Sequence, residues 1–161
     1  MMHYSLLLML MTLLLVPLHS SAADAPGKAA MGNGKKASST VIPVPIAKSF
    51  LEGKGLVLDK PEEYDSYTDS EGKVRAPSYS HVSHTGKIQV LVIEAGPGKV
   101  RIEGLPYDEF VHILEGRLIL TLDDGQEFKF ETGDSFTLPE GYVGYWDMPE
   151  KYRELVVINM E

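Results

Sequence analysis

The chain has 161 residues, enough for one domain with a sizeable core, and a formal net charge of −8 from 23 acidic and 15 basic side chains. That balance excludes a nucleic-acid footprint and adhesion to anionic lipid, since both need clustered Lys and Arg. There is no cysteine, so disulfides, thiol catalysis and Cys–zinc sites are excluded as well.

The opening stretch, MMHYSLLLMLMTLLLVPLHSSAA, reads as a secretory signal over residues 1–23. A Leu/Met-rich run from Leu6 to Val16 ends at Pro17, and small residues follow at Ser21-Ala22-Ala23. The run is about 11 residues long, against the roughly 20 needed to span a bilayer. Export is therefore expected, with cleavage near Ala23 and no stable membrane insertion afterwards. The absence of cysteine points to the periplasm. The leader lacks the usual Lys or Arg before its apolar run, so a retained anchor is the competing reading.

Residues 24–45 are small, polar and broken by Gly and Pro, as in a flexible linker. Gly32-Asn33-Gly34-Lys35 is not a phosphate loop, because no Lys-Ser/Thr pair follows the second glycine of the pattern and no strand precedes it. Residues 46–78 are expected to form an N-terminal arm with turns, in which IAKSFLEGKGLVL makes a helical turn or an edge strand. Asp65, Asp69 and Glu71 imitate a calcium loop, but Tyr67 takes a ligand position and Ser70 replaces the required glycine. A solvated loop is expected there.

From Tyr79 to Glu161 the chain reads as short strands: KIQVLVIEA, KVRIEG, EFVHILEG, RLILTL, QEFKFE, DSFTLP, YVGYWDM and ELVVINM. Turn chemistry separates them, with Asp124-Gly125 as the strongest hairpin signal and Pro139-Glu140-Gly141 as a rigid corner. About eight antiparallel strands without helical periodicity imply an all-β sandwich or small barrel.

Two spacings are more specific. Glu109-x6-Gly116, then a hairpin, then Gly133-x5-Pro139-x-Gly141 resembles the paired motifs of the cupin superfamily. The wording over Lys87–Ile158 is most similar to the small single-domain subgroup containing ureidoglycine aminohydrolase-type and ethanolamine-utilisation-type cupins. The resemblance implies a single jelly-roll β-barrel over residues 79–161 and, as in many small cupins, a homodimer. It also implies a divalent metal held by His-x-His, Glu and a further His. Carried over, those positions fall on Ile102, Gly104, Glu109 and Gly144, and only Glu109 offers a donor. No metal and no other cofactor is therefore expected.

Strand parity proposes a replacement. Tyr107, Glu109, Val111 and Ile113 share one face, and Tyr142, Gly144 and Trp146 share another. On this reading Gly144 leaves a gap between two aromatics, and Glu109 stands as a lone acid in an apolar cavity suited to a small organic ligand. Tyr107, Tyr142 and Trp146 are the expected walls, and Glu109 the expected proton-transfer group or hydrogen-bond anchor. Arg153 is a candidate for an anionic substrate or for a salt bridge at the rim. For Trp146 core packing is an equal alternative. His112 should face away from Glu109, and His81 and His84, three apart, should face opposite ways.

Three functions remain open at this point. The first is a metal-independent lyase, isomerase or hydrolase using Glu109. The second is a ligand-binding or sensory module without turnover. The third is a metal enzyme drawing ligands from Glu109 with His81 or His84.

Overall fold

The computed structural model describes residues 41–60, 68–73 and 76–161. The signal, nearly all of the linker, and Asp65 and Tyr67 lie outside these residues. Alternating burial along each segment yields ten strands and one short helical turn. In chain order they are α1 (Lys48–Leu51), β1 (Val57–Leu58), β2 (Tyr79–Thr85), β3 (Ile88–Ala95), β4 (Gly98–Glu103), β5 (Glu109–Glu115), β6 (Arg117–Leu122), β7 (Glu127–Glu131), β8 (Ser135–Leu138), β9 (Val143–Met148) and β10 (Tyr152–Asn159). The region read as helix or edge strand holds one of each.

All pairings are antiparallel, in a six-stranded sheet ordered β1-β2-β3-β10-β5-β8 and a four-stranded sheet ordered β4-β9-β6-β7. The two inner faces meet in a single core that includes Leu91, Ile102, Ile113, Leu118, Trp146 and Val156. Trp146 sits between Val100 and Leu120 on neighbouring strands and touches Tyr152 edge-on, with ring centroids 6.3 Å apart. This is an all-β jelly-roll barrel, and Trp146 packs as part of its core.

The turns follow their sequences. Between β6 and β7, Gly125 takes φ 86°, and its N–H closes onto the Leu122 carbonyl. The glycine ending the first motif has a stricter reason. Gly116 has φ 87°, and any Cβ there would run into the Lys151 carbonyl of the turn before β10. Asp134 accepts a hydrogen bond from the Glu131 N–H at 2.9 Å and so braces its turn, as its position after Gly133 suggested.

The arm lies on the outer face of the six-stranded sheet. Phe50 stacks on His81 with centroids 3.5 Å apart, and the Ser80 hydroxyl donates to Asp59 at 2.6 Å. Arg153 fixes the arm most firmly. Its Nε donates to the Leu51 carbonyl at 3.1 Å, while its terminal nitrogens meet Glu94 at 2.8 Å and Glu115 at 2.6 Å. Asp69, from the stretch resembling a calcium loop, spends its carboxylate on the backbone N–H groups of Glu71 and Lys73.

One strand departs from simple alternation. A register shift between Val82 and His84 sets His81 opposite Val92 and His84 opposite Val90. The extra residue, Ser83, forms a bulge, so both histidines stand on the outer face instead of opposite faces.

Candidate functional site: two acids inside the barrel

Because side chains alternate, β5 turns Glu109, Val111 and Ile113 inward, and β10 turns Tyr152, Glu154, Val156 and Ile158 inward. Two of those seven are acids. Glu109 is 1% exposed and Glu154 is 4% exposed. In the register between the two strands Glu109 faces Ile158 and Glu154 faces Ile113, so the acids sit on adjacent strands, four positions apart along β10.

Their surroundings differ. The Tyr152 hydroxyl donates to Glu154 Oε2 at 2.7 Å, whereas Glu109 Oε2 is buried without any hydrogen-bond partner. Burial pushes the Glu109 carboxyl well above the ordinary carboxylate range, and the nearby charge of Glu154 pushes it further. Burial also raises Glu154, partly opposed by the Tyr152 hydrogen bond. The phenols of Tyr107 and Tyr152 move up as well, first through burial and then through the charges of the two acids. Tyr107, Glu109, Tyr152 and Glu154 thus form one electrostatically linked group inside an apolar wall.

A protonated carboxyl in such a place can donate a hydrogen bond at neutral pH, or take part in proton transfer once a guest approaches. Gln89 adds a further polar group. It is 2% exposed, it faces Ile158 from the other side of β10, and its Oε1 has no partner.

The side chains named from sequence do not all meet here. Tyr107 and Glu109 do. His112 is on the outer face, as parity required, bonded to the Ser135 hydroxyl at 2.8 Å. Glu103, at the end of β4 and on the exposed side of that strand, pairs with Arg101. Arg153 lies outside the barrel, apart from the interior acids, because it neighbours the inward Glu154 and therefore points to the opposite face. It makes the salt bridge, with Glu94 and Glu115, rather than a contact with the interior.

The expected gap at Gly144 is closed. A Cβ on this glycine would stand 2.6 Å from the Tyr142 hydroxyl oxygen and 2.6 Å from the Thr121 carbonyl. Tyr142 itself, half-buried, folds over the position and donates weakly to the Tyr145 carbonyl at 3.4 Å. Glycine is needed so that this ring and the neighbouring strand can come close. Gly144→Ala is expected to destabilise the protein by about 1–3 kcal/mol, as overpacking does, measured as a lower urea midpoint with unchanged slope. An unchanged midpoint would mean that Tyr142 and β6 are free to give way.

Glu154 was missed in the sequence. The signal was available: counting by twos back from Ile158 and Val156 places it on the apolar face. Gln89 carried a similar signal, alternating with Val90 and sharing parity with Leu91.

A barrel of two antiparallel sheets with these paired motifs defines a cupin. A family model described as the EutQ-like cupin domain matches residues 82–154. Solved structures similar to it include the EutQ protein of Clostridium difficile, at 19% identity over 56% of this chain and 73% of that one, with a TM-score of 0.49. An ethanolamine utilisation protein Q from Salmonella typhimurium matches at 21% identity over 52% and 69% of the two chains, with a TM-score of 0.47. A cupin superfamily protein from Desulfitobacterium hafniense matches at 16% identity over 52% and 78%, with a TM-score of 0.46. A comparison with curated proteins finds no match.

The divalent metal of typical cupins does not fit the residues present. At the motif positions Ile102, Gly104 and Gly144 supply no donor beside Glu109. Among the described residues no three His, Cys, Asp or Glu side chains are grouped to hold an ion. His81 and His84 are on the outer face of β2, with the sheet between them and Glu109.

Proposed function

We propose that the cupin barrel is a metal-independent site for a small organic molecule, with Glu109 as its proton-transfer group. The observation that carries this reading is the unpartnered oxygen of Glu109, buried on an apolar wall. Leaving such a group unsatisfied costs about 1–3 kcal/mol, and a guest that completes its hydrogen bonding recovers that energy. Tyr107 and Trp146 wall the site, and Tyr142 is its movable plug. Tyr142 folds over Gly144 beside the Thr121 carbonyl, and moving its ring would uncover that glycine toward the interior.

Glu154 gives the site its chemistry. With Glu109 free and Glu154 held by the Tyr152 hydroxyl, each carboxyl can take up or release a proton at its own end of the wall while a lyase, isomerase or hydrolase step proceeds on the guest. Binding without turnover is the second reading, favoured by the apolar wall that surrounds both acids.

A thermal-shift screen of small molecules, followed by Trp146 fluorescence, tests the proposal, since the single tryptophan is 3% exposed and touches Tyr152. For a ligand so found, Glu109→Gln is expected to leave affinity within about threefold and to lower turnover by about 10²–10⁴. Ligands that bind wild type and Glu109→Gln equally, with no turnover in either, assign the protein to the binding class. No ligand that perturbs Trp146 would remove the proposal.

We propose further that the protein works in the periplasm as a homodimer after removal of residues 1–23, as its leader-like first residues and its resemblance to small cupins suggest. Intact mass of the exported protein, expected to begin near Asp24, and its molar mass in solution check both points.

A further inference from the structure

The two outer faces of the barrel differ in composition. Across the four-stranded sheet the register lines up Lys99, Asp147, Ile119 and Lys129, three charges in four positions, as a face turned to water requires. Across the six-stranded sheet it lines up His84, Val90, Val157, Phe110 and Thr137, without one Asp, Glu, Lys or Arg. In a chain that is 24% charged, that row stands apart. Phe110 is 42% exposed within it, and the exposed Ile88 extends the apolar surface along β3.

One end of this face is already covered. The arm lays Phe50 on His81 and ties Leu51 to Arg153, and Val92, opposite His81, is fully buried. The residues leading into the arm are apolar too, yet Val41, Ile42 and Val44 are each more than half exposed. Pro43 and Pro45 keep Ile42 and Val44 extended, because a residue before proline is driven out of the helical region. In an extended chain Ile42, Val44 and Ile46 share one side, which makes a short apolar edge.

We infer that a second copy of this chain covers the outer face of the six-stranded sheet. The Val90–Val157–Phe110 rows of two protomers pack together about a two-fold axis, and the segment 41–46 of each closes over the margin of the other. This rests on the homodimer reading and adds where the copies meet. Area decides that both parts are needed. Five strands about 4.8 Å apart, by roughly 14 Å along them, give a face well below the ~800 Å² that each partner contributes to a stable dimer. The segments supply the remainder, since six extended residues reach about 20 Å, twice the ~10 Å between stacked sheets. Charge selects the same face. Two chains of formal charge −8 repel one another, and least where the row carries no charge. A contact that is the same on both copies closes on itself, so it stops at two.

The test is the molar mass of the full chain in solution over a concentration series. Wild type should be dimeric. Phe110→Glu, which places an unpaired charge on a side chain already partly exposed in the protomer, should raise the dimer dissociation constant at least about a hundredfold. Its urea midpoint should stay near that of wild type, which separates lost association from lost folding. Val44→Asp, on the segment, should raise the constant at least about tenfold. Val143→Glu, on the outer face of the four-stranded sheet, should leave it unchanged. A dimer that survives Phe110→Glu, or breaks with Val143→Glu instead, keeps the homodimer reading and overturns this interface. A dimer indifferent to Val44→Asp overturns the exchange of segments. Wild type monomeric at every concentration removes the homodimer and this inference together, and leaves the face to a different partner.

Discussion

Glu109→Gln is expected to raise the stability of the free protein, and to raise it more at pH 8 than at pH 5. Both interior carboxyls are held above the ordinary value of 4.5, chiefly by burial. Below pH 4.5 native and unfolded chains both carry these protons, and the contribution of the acids to stability is fully present. As pH rises, the unfolded chain releases protons that the native barrel retains. Stability therefore falls by about 1.4 kcal/mol per pH unit for each carboxyl, until the native carboxyls ionise too. Glutamine keeps the shape and does not titrate, so the variant loses one share of that slope. Ion-paired Glu71 and Asp123 shift the opposite way, downward, and so act on the acid side of 4.5 and leave this window alone. Chemical denaturation of both proteins from pH 5 to pH 8 measures the difference. A variant less stable by the same amount throughout would show that Glu109 is satisfied in the native state, and would remove the basis of the proposed site.

Arg153→Ala is expected to lower stability by about 3 kcal/mol and to release the arm. The guanidinium is nearly buried and serves Glu94, Glu115 and the Leu51 carbonyl together, and its loss leaves Glu94 without this partner in a mostly covered position. Hydrogen exchange should accelerate across α1 and β1 while β5 and β10 stay protected. Arg153→Lys should fall between the two, since a single ammonium cannot reproduce the fork. Unchanged exchange in the arm would mean that the Phe50–His81 stack holds it instead.

What the sequence made legible was local. The Asp124-Gly125 hairpin, the strand boundaries and the inward direction of Glu109 all follow from turn chemistry and a period of two. The bulge at Ser83 breaks that period without a Gly or Pro to mark it, so the outward turn of both His81 and His84 was hidden. The contact of Arg153 with Leu51 joins positions 102 residues apart, and a linear pattern carries no such information. Gly144 was identified as important, but the reason depended on a rotamer. Whether Tyr142 stands away from a glycine or folds onto it is decided by packing. Glu154 is legible by its parity with Val156 and Ile158 on the inward face of β10, although in the linear sequence its charge reads as one of a pair with the neighbouring Arg153.

The position of β10 has a consequence for biogenesis. This strand is the tenth to be synthesised, yet it joins β3 to β5 and so links the two halves of the six-stranded sheet. Until it emerges, β3 and β5 have no common neighbour and each presents an open edge. The barrel therefore closes only after nearly all of its residues are available, a high-contact-order assembly that is slow and exposed to aggregation. If the polypeptide crosses a membrane through a narrow channel, late closure becomes an advantage, because the chain stays threadable until its last strand has passed.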